Sequence, residues 1–201
     1  MHTPRHARSL AELEESELEL AAKAFHARRE AARAEGFPYV QIVLNEGRAA
    51  GSSLPHSHSQ LFWLREPPPA VREELPRLRE GSCGVCDVLR QESLEIALRG
   101  DAVLLTAPAG RAPYELVIAP KNHTDEPTGD SLADAALLLR DAIKRLRAVE
   151  GPVPLNAWLH TGGHWHLELV PRLTVFAGLE LGAGIYVNSL PPEEAAQRLR
   201  A

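Results

Sequence analysis

Between Asn45 and Gln60 the chain reads Asn45-Glu-Gly-Arg-Ala-Ala-Gly51-Ser52-Ser53-Leu-Pro-His56-Ser-His58-Ser-Gln60. In an extended segment residues two apart share a face, so His56, His58 and Gln60 project together. The Gly51, Ser52 and Ser53 loop ahead of them can bring backbone amides and hydroxyls close to an anion. An imidazole, with a reference pKa of about 6.5, is available as a neutral nucleophile near pH 7. Beside a phosphate cradle it is suited to attack phosphorus, and the resulting phosphoramidate divides one transfer into two steps. Gln60 supplies a neutral amide donor for a non-bridging oxygen. Two histidines at this spacing also suit a shared metal or a solvent-facing strand; the complete string of Asn, Gly, Ser, His, His and Gln favours phosphate chemistry.

A second group of reactive side chains lies downstream. The chain has only two cysteines, Cys83 and Cys86, in one C-x-x-C pair, and nine histidines, of which His160, His164 and His166 are clustered. In a reducing compartment a structural disulfide is disfavoured, which leaves a redox dithiol, free thiols or half of a metal site.

The elements that must position these residues follow from local pattern. Ser9 with Glu12 is a capping-box signature for a helix carrying Leu10, Leu13, Leu20, Ala21, Ala24 and Phe25. Tyr39–Leu44 and His56–Leu64 read as strands, joined by the Gly- and Ser-rich loop. Pro67-Pro-Pro69 interrupts regular structure, and Val71–Arg79 reads as a short exposed helix. Leu94–Leu98, Ala102–Thr106 and Tyr114–Ala119 are β-biased runs. Ser131 with Asp134 caps a long helix whose buried stripe is Leu132, Ala135, Leu139, Ala142, Ile143 and Leu146. Strands at Leu155–Thr161 and Trp165–Val170 follow, then a Gly-rich ribbon over 177–184 and a terminal helix after Pro191-Pro192. Trp63, Trp158 and Trp165 read as core, His2 and His26 as solvated, and Arg172 as structural.

Composition bounds the function. The 201 residues include 44% hydrophobic and 24% charged, enough for a real core. A net charge of −5 argues against nucleic-acid binding through a basic surface. No apolar run reaches the roughly 18–20 residues of a membrane span, and no secretory signal is visible behind Met1. A soluble, cytoplasmic protein is expected.

The order helix, strand, loop, strand with His-x-His occurs twice, at Ser9–Leu64 and Ser131–Val170, offset by about 115 residues. A short His-bearing segment precedes each helix: Pro4-Arg5-His6 and Pro120-Lys-Asn-His123. This reads as a duplicated domain in which only the second copy has strands and a C-x-x-C ahead of its helix.

The His56–Gln60 segment resembles the active-site motif of the galactose-1-phosphate uridylyltransferase family in the histidine-triad superfamily. The resemblance extends over essentially the whole chain, including Gly178-Leu-Glu180 and the terminal Pro-Glu-Glu-Ala-Ala-Gln-Arg-Leu-Arg. It implies His58 as covalent nucleophile, Gln60 as phosphoryl-stabilising amide, and Asn45, Gly51, Ser52 and Ser53 as nucleotide-phosphate contacts. It also implies His56 and His6 as ligands of one zinc site, whose two cysteines would lie in an upstream segment. Glu180 matches a hexose-hydroxyl ligand, but Leu179 stands where galactose-specific members carry tyrosine.

For Cys83 and Cys86, two distant histidines would complete a closed tetrahedral Zn2+ set. Spacing leaves His160, His164 and His166 in competition. The repeat selects His123, in the place of His6, and His166, in the place of His56. Glu168 then stands where His58 stands, which makes the second copy catalytically silent.

The expected architecture is α+β and histidine-triad-like, with antiparallel sheets each covered by a helix. Residues 1–66 form the later portion of one half, 67–79 a linker and 80–201 a complete second half. The implied activity is transfer of a nucleoside monophosphate from a nucleotide sugar to a sugar 1-phosphate, with UDP-hexose as first choice. Alternatives are an ADP-glucose-type phosphorylase and an inactive zinc-stabilised module. Nucleotide sugar and sugar 1-phosphate are the expected partners, with neither nucleic acid nor membrane, and a homodimer is implied by resemblance.

Overall fold

The computed structural model describes residues 1–79 and 81–201. Helix α1 (Glu15–Ala34) leads into strands β1 (Tyr39–Glu46) and β2 (Ser59–Leu64), then short helices α2 (Pro69–Glu74) and α3 (Gly84–Leu89). Strands β3 (Glu95–Arg99), β4 (Ala102–Thr106) and β5 (Leu116–Pro120) precede the long helix α4 (Gly129–Glu150). Strands β6 (Leu155–His160) and β7 (His166–Pro171) are followed by α5 (Gly178–Ala183) and α6 (Pro192–Arg200).

The α+β, antiparallel architecture matches expectation, with one difference of assembly. The strands of both halves join edge to edge in a single seven-stranded sheet of order β2-β1-β6-β7-β5-β4-β3. The seam is β1 against β6, with Asn45 opposite Asn156 and Ile42 opposite Leu159. Each of these strands alternates: Leu155, Ala157 and Leu159 are buried while Asn156, Trp158 and His160 are half-exposed. The buried face packs under α1, α4 and α6, where Leu18, Leu138, Ile143 and Leu199 meet Ile42, Leu116 and Leu169. Fusing the sheets gives both halves one core and removes two exposed edges, each a row of unpaired backbone groups. The segment over 67–79 is likewise more than a linker, because Leu78 packs against Gly163 and Glu74 reaches His160.

Helix starts differ from the sequence reading for local reasons. Ser9 accepts a hydrogen bond from Ala11 N–H, but it caps only a 3-10 turn at Leu10–Glu12. The long helix starts five residues on, where the Glu17 carboxylate accepts from Glu14 N–H at 2.8 Å. Thr128, rather than Ser131, caps α4; their side chains reciprocally accept each other's backbone N–H groups. The supposed ribbon over 177–184 holds the exposed helix α5. Trp165 is buried as expected, whereas Trp63 and Trp158 are half-buried. The Arg172 guanidinium lies 5.4 Å from the Phe176 ring, a structural contact.

Candidate functional site

The turn that carries His56 and His58 lies immediately before β2 and is held by the N-terminal segment. Ser57 exchanges backbone hydrogen bonds with that segment: its N–H donates to Ala7 O at 2.7 Å, and its carbonyl accepts from His2 N–H at 3.1 Å. His2, expected to be solvated, is buried instead. Its ring nitrogens lie 2.8 Å from Ser57 Oγ and 2.9 Å from Ser59 Oγ. Burial, aided by nearby positive charge, pushes its pKa down to about 4, so the ring is a neutral clamp between two serines. The only signal in the sequence is that Ser57 and Ser59 alternate with the functional residues. His26, also expected in solvent, is half-buried, and its Nδ1 has no partner among the described residues.

Within the turn each histidine has a defined orientation. His58 directs Nδ1 at His56 O, 2.9 Å away, so Nδ1 carries the proton and Nε2 holds the lone pair. Among the described residues, Nε2 has no hydrogen-bond partner. His56 places Nε2 3.0 Å from Thr3 O, and its Nδ1 has no hydrogen-bond partner among the described residues; its ring centroid is 5.5 Å from that of His6. Gln60 is exposed, opposite Val43 on the open face of the sheet.

The loop between β1 and β2 is shaped by glycine and asparagine. Gly47 and Gly51 adopt φ of +85° and +84°. A side chain on Gly47 would also strike Pro154, 3.0 Å from the position of its Cβ. Asn156 Nδ2 donates to Asn45 Oδ1 at 2.7 Å and to Ala50 O at 2.8 Å, tying strand to loop. Sequence reasoning missed Asn156, whose role depends on the β1–β6 seam. Ser52 Oγ donates to Leu54 O at 3.0 Å. Ser52 and Ser53, with Gly47, Arg48 and Arg8, line a cavity of about 560 Å3. The buried Glu46 anchors this end, accepting from Ser9 Oγ at 2.7 Å, Leu10 N–H at 2.9 Å and Arg147 at 2.9 Å.

The second constellation forms, with one change of member. Cys83, Cys86, His123 and His164 bring their donor atoms within 4.8 Å of one another. The His164 Nδ1 lies 3.5 Å from Cys83 Sγ and 3.4 Å from Cys86 Sγ, and His123 Nδ1 lies 3.5 Å from Cys86 Sγ. Bonds of about 2.0–2.3 Å to a tetrahedral ion imply ligand separations of this size, so the donor set fits a metal. The fourth residue is His164, which corrects the expectation of His166. The two halves match two residues away from the register that the sequence suggests: His164 corresponds to His56 and His166 to His58. His164 Nε2 lies 2.9 Å from Pro120 O, three residues before His123, as His56 Nε2 faces Thr3 O, three before His6.

His166 belongs to a different cluster, with Glu74, His160 and Glu168. His160 Nδ1 lies 2.7 Å from Glu74, and His166 Nε2 lies 3.3 Å from Glu74 and 3.7 Å from Glu168. Burial opposes charge on His166, but Glu168 and Glu74 outweigh it and push its pKa up to about 10. Burial likewise opposes charge on Glu74, yet His160 and His166 hold its pKa down at about 2. Arg111 pairs with Glu115 and Glu168 and stacks 5.2 Å from the centre of Trp158. Gln60, Val43, Trp158 and Glu168 lie in one cross-strand row, so Glu168 is the counterpart of Gln60 and not of His58.

Glu180 belongs to neither side-chain cluster. It lies on α5, where its carboxylate accepts from Ala177 N–H at 2.8 Å.

A family model described as "Galactose-1-phosphate uridyl transferase, N-terminal domain" matches residues 1–68. The chain is 29% identical to ADP-glucose phosphorylase of Arabidopsis thaliana over 84% of this chain and 53% of that protein. It is 28% identical to galactose-1-phosphate uridylyltransferase of Thermotoga maritima over 81% of this chain and 59% of that one. It thus spans somewhat more than half the length of these curated relatives. A solved uridylyltransferase structure superposes with a TM-score of 0.91 at 29% identity, covering 99% of this chain and 72% of that one. The structure of an ADP-glucose phosphorylase from Arabidopsis thaliana with bound ADP-glucose gives 0.89 at 26% identity, covering 99% and 71%. With residues 1–68 matched by the family model and the fold of a solved uridylyltransferase shared along 99% of the chain, the protein resembles the galactose-1-phosphate uridylyltransferase family.

Proposed function

We propose that the chain acts in nucleotidyl transfer from a nucleotide sugar, with His58 as the temporary carrier. The observation that carries this reading is the His58 imidazole, which has Nδ1 committed to a backbone carbonyl and Nε2 unengaged among the described residues. In the first step Nε2 attacks the α-phosphorus, a P–N bond forms, and the bond to the sugar 1-phosphate oxygen breaks. In the second, an acceptor phosphate oxygen attacks the same phosphorus and the P–N bond breaks, which restores neutral His58. Gln60 donates its amide to a non-bridging oxygen. Asn45, Gly51, Ser52 and Ser53 contact the phosphates from the loop that Asn156 secures.

UDP-hexose with hexose 1-phosphate as acceptor is the first reading. ADP-glucose with orthophosphate is the second, favoured by the likeness to ADP-glucose phosphorylase. Zn2+ held by Cys83, Cys86, His123 and His164 would stabilise α3 against β5 and β7, in a cytoplasm that keeps both thiols reduced. His6 and His56 form half of an equivalent site. A homodimer is part of this proposal. Val175, Leu181 and Val187 are exposed along the segment bearing Glu180, and a second copy covering them would take Glu180 to the neighbouring site.

The test is incubation with UDP-glucose or ADP-glucose carrying a labelled α-phosphate. An acid-labile, base-stable protein adduct, discharged by hexose 1-phosphate or orthophosphate, is the expected result. No adduct with either donor in metal-replete protein overturns the transfer reading and leaves a zinc-stabilised module.

A further inference from the structure

On the face of the sheet away from α1 and α4, a cavity of about 510 Å3 lies between α3 and strands β4, β5 and β7. This volume falls within the range of roughly 300–1,000 Å3 usual for small-molecule sites. One wall is aliphatic, with Val85 and Val88 of α3 together with Leu105 and Val117 of the sheet. The polar lining comes from Glu74, Arg77, Arg111, Glu115, His166 and Glu168. Arg111 is hydrogen-bonded to Glu115 at 2.6 Å and also to Glu168. Three carboxylates thus face two guanidiniums and the His166 ring that lies against Glu74 and Glu168, and an anion gains little net attraction from such a wall.

A ring with vicinal hydroxyls suits it better. Carboxylate oxygens accept from hydroxyls and guanidinium groups donate to them, so a diol can bridge Glu115 or Glu168 and Arg77. The C–H face of a sugar, or a base attached to it, would cover the valine wall and remove apolar surface from water. We propose that this cavity binds an uncharged ligand with vicinal ring hydroxyls and an apolar face, supplied by a free hexose or by the ribose of a nucleoside. None of the lining residues comes from the 45–60 segment, so the site stands whether or not His58 carries a nucleotidyl group.

The test uses the full chain and four probes without phosphate: D-glucose, D-galactose, uridine and adenosine. Binding is followed through the methyl resonances of Val85, Val88, Leu105 and Val117 in the unmodified protein, and by titration of Val88→Trp and His58→Asn. At least one probe shifts those methyls, its affinity falls at least tenfold in Val88→Trp, and it is unchanged in His58→Asn. Response to the hexoses alone identifies a free sugar, and response to the nucleosides alone identifies ribose. Failure of all four to shift these methyls overturns the proposal, as does binding lost in His58→Asn but kept in Val88→Trp. Tighter, Val88-dependent binding of glucose 1-phosphate than of glucose contradicts the uncharged class. Adduct formation at His58 is measured separately on Val88→Trp, so failure of the transferase reading leaves this result interpretable.

Discussion

His58 and His166 make the same bond in the two halves of the chain: each directs Nδ1 at the carbonyl oxygen two residues earlier, at 2.9 Å. Their Nε2 atoms meet opposite fates. That of His58 has no partner among the described residues, while that of His166 faces Glu74 and Glu168. A ring protonated between two carboxylates has no lone pair for phosphorus. One duplicated geometry thus yields one available nucleophile and one ion pair.

The metal centre separates His164 from His166 experimentally. Cys83→Ser and His164→Ala should each abolish stoichiometric metal, about one ion per chain in the unmodified protein if only the four-ligand set is filled. His166→Ala should retain it. Metal analysis of the purified variants checks this, and loss of metal in His166→Ala would restore the register first read from the sequence.

Asn156 ties Asn45 to the Ala50 carbonyl, so its removal loosens the loop between β1 and β2. Asn156→Ala should cost about 1–3 kcal/mol of stability, because it strands a half-buried carbonyl and an amide. It should lower the rate of adduct formation more than tenfold while the metal content is unchanged. Thermal unfolding and the time course of labelling measure the two effects.

His2 predicts a pH effect with a definite sign. Its folded pKa, about 4, lies below the ordinary histidine value of 6.5 because burial disfavours the cation. Between these values the unfolded chain binds more protons, so the contribution of His2 is full above pH 6.5 and is lost as pH falls towards 4. The melting temperature should therefore drop by several degrees over that interval. His2→Phe should flatten this part of the profile.

Glu74 acts lower on the scale. With its pKa held at about 2, it contributes stability above its ordinary value of 4.5 that disappears as pH falls towards 2. Glu74→Gln should remove this acid limb, as read from denaturant midpoints at each pH, and should leave metal binding intact.

Much of the fold was legible because strand alternation and helical stripes are local. The runs at Tyr39, Ala102 and Leu155 became strands at those positions. Helix starts were less legible, since Ser9 and Glu14 compete and only the path of the N-terminal segment over Glu46 decides between them. The His56–Gln60 motif was visible as a string, but what secures it was not. His2 reaches Ser57 across 55 residues of chain, and Asn156 reaches Asn45, on β1 ahead of the motif, across 111. The choice between His164 and His166 needed the carbonyl partners of both rings, because a two-residue shift preserves the strand face and the pattern fits either way.

In the proposed transfer His58 Nε2, and no other ring nitrogen, accepts the nucleotidyl group. Peptide mapping of the protein after brief exposure to α-phosphate-labelled UDP-glucose and ADP-glucose tests it directly. The added nucleoside monophosphate should appear on the peptide containing His58, at unchanged yield in His166→Asn and reduced at least about a thousandfold in His58→Asn. Label on His166, or on a peptide from neither half's His-x-His segment, would contradict it.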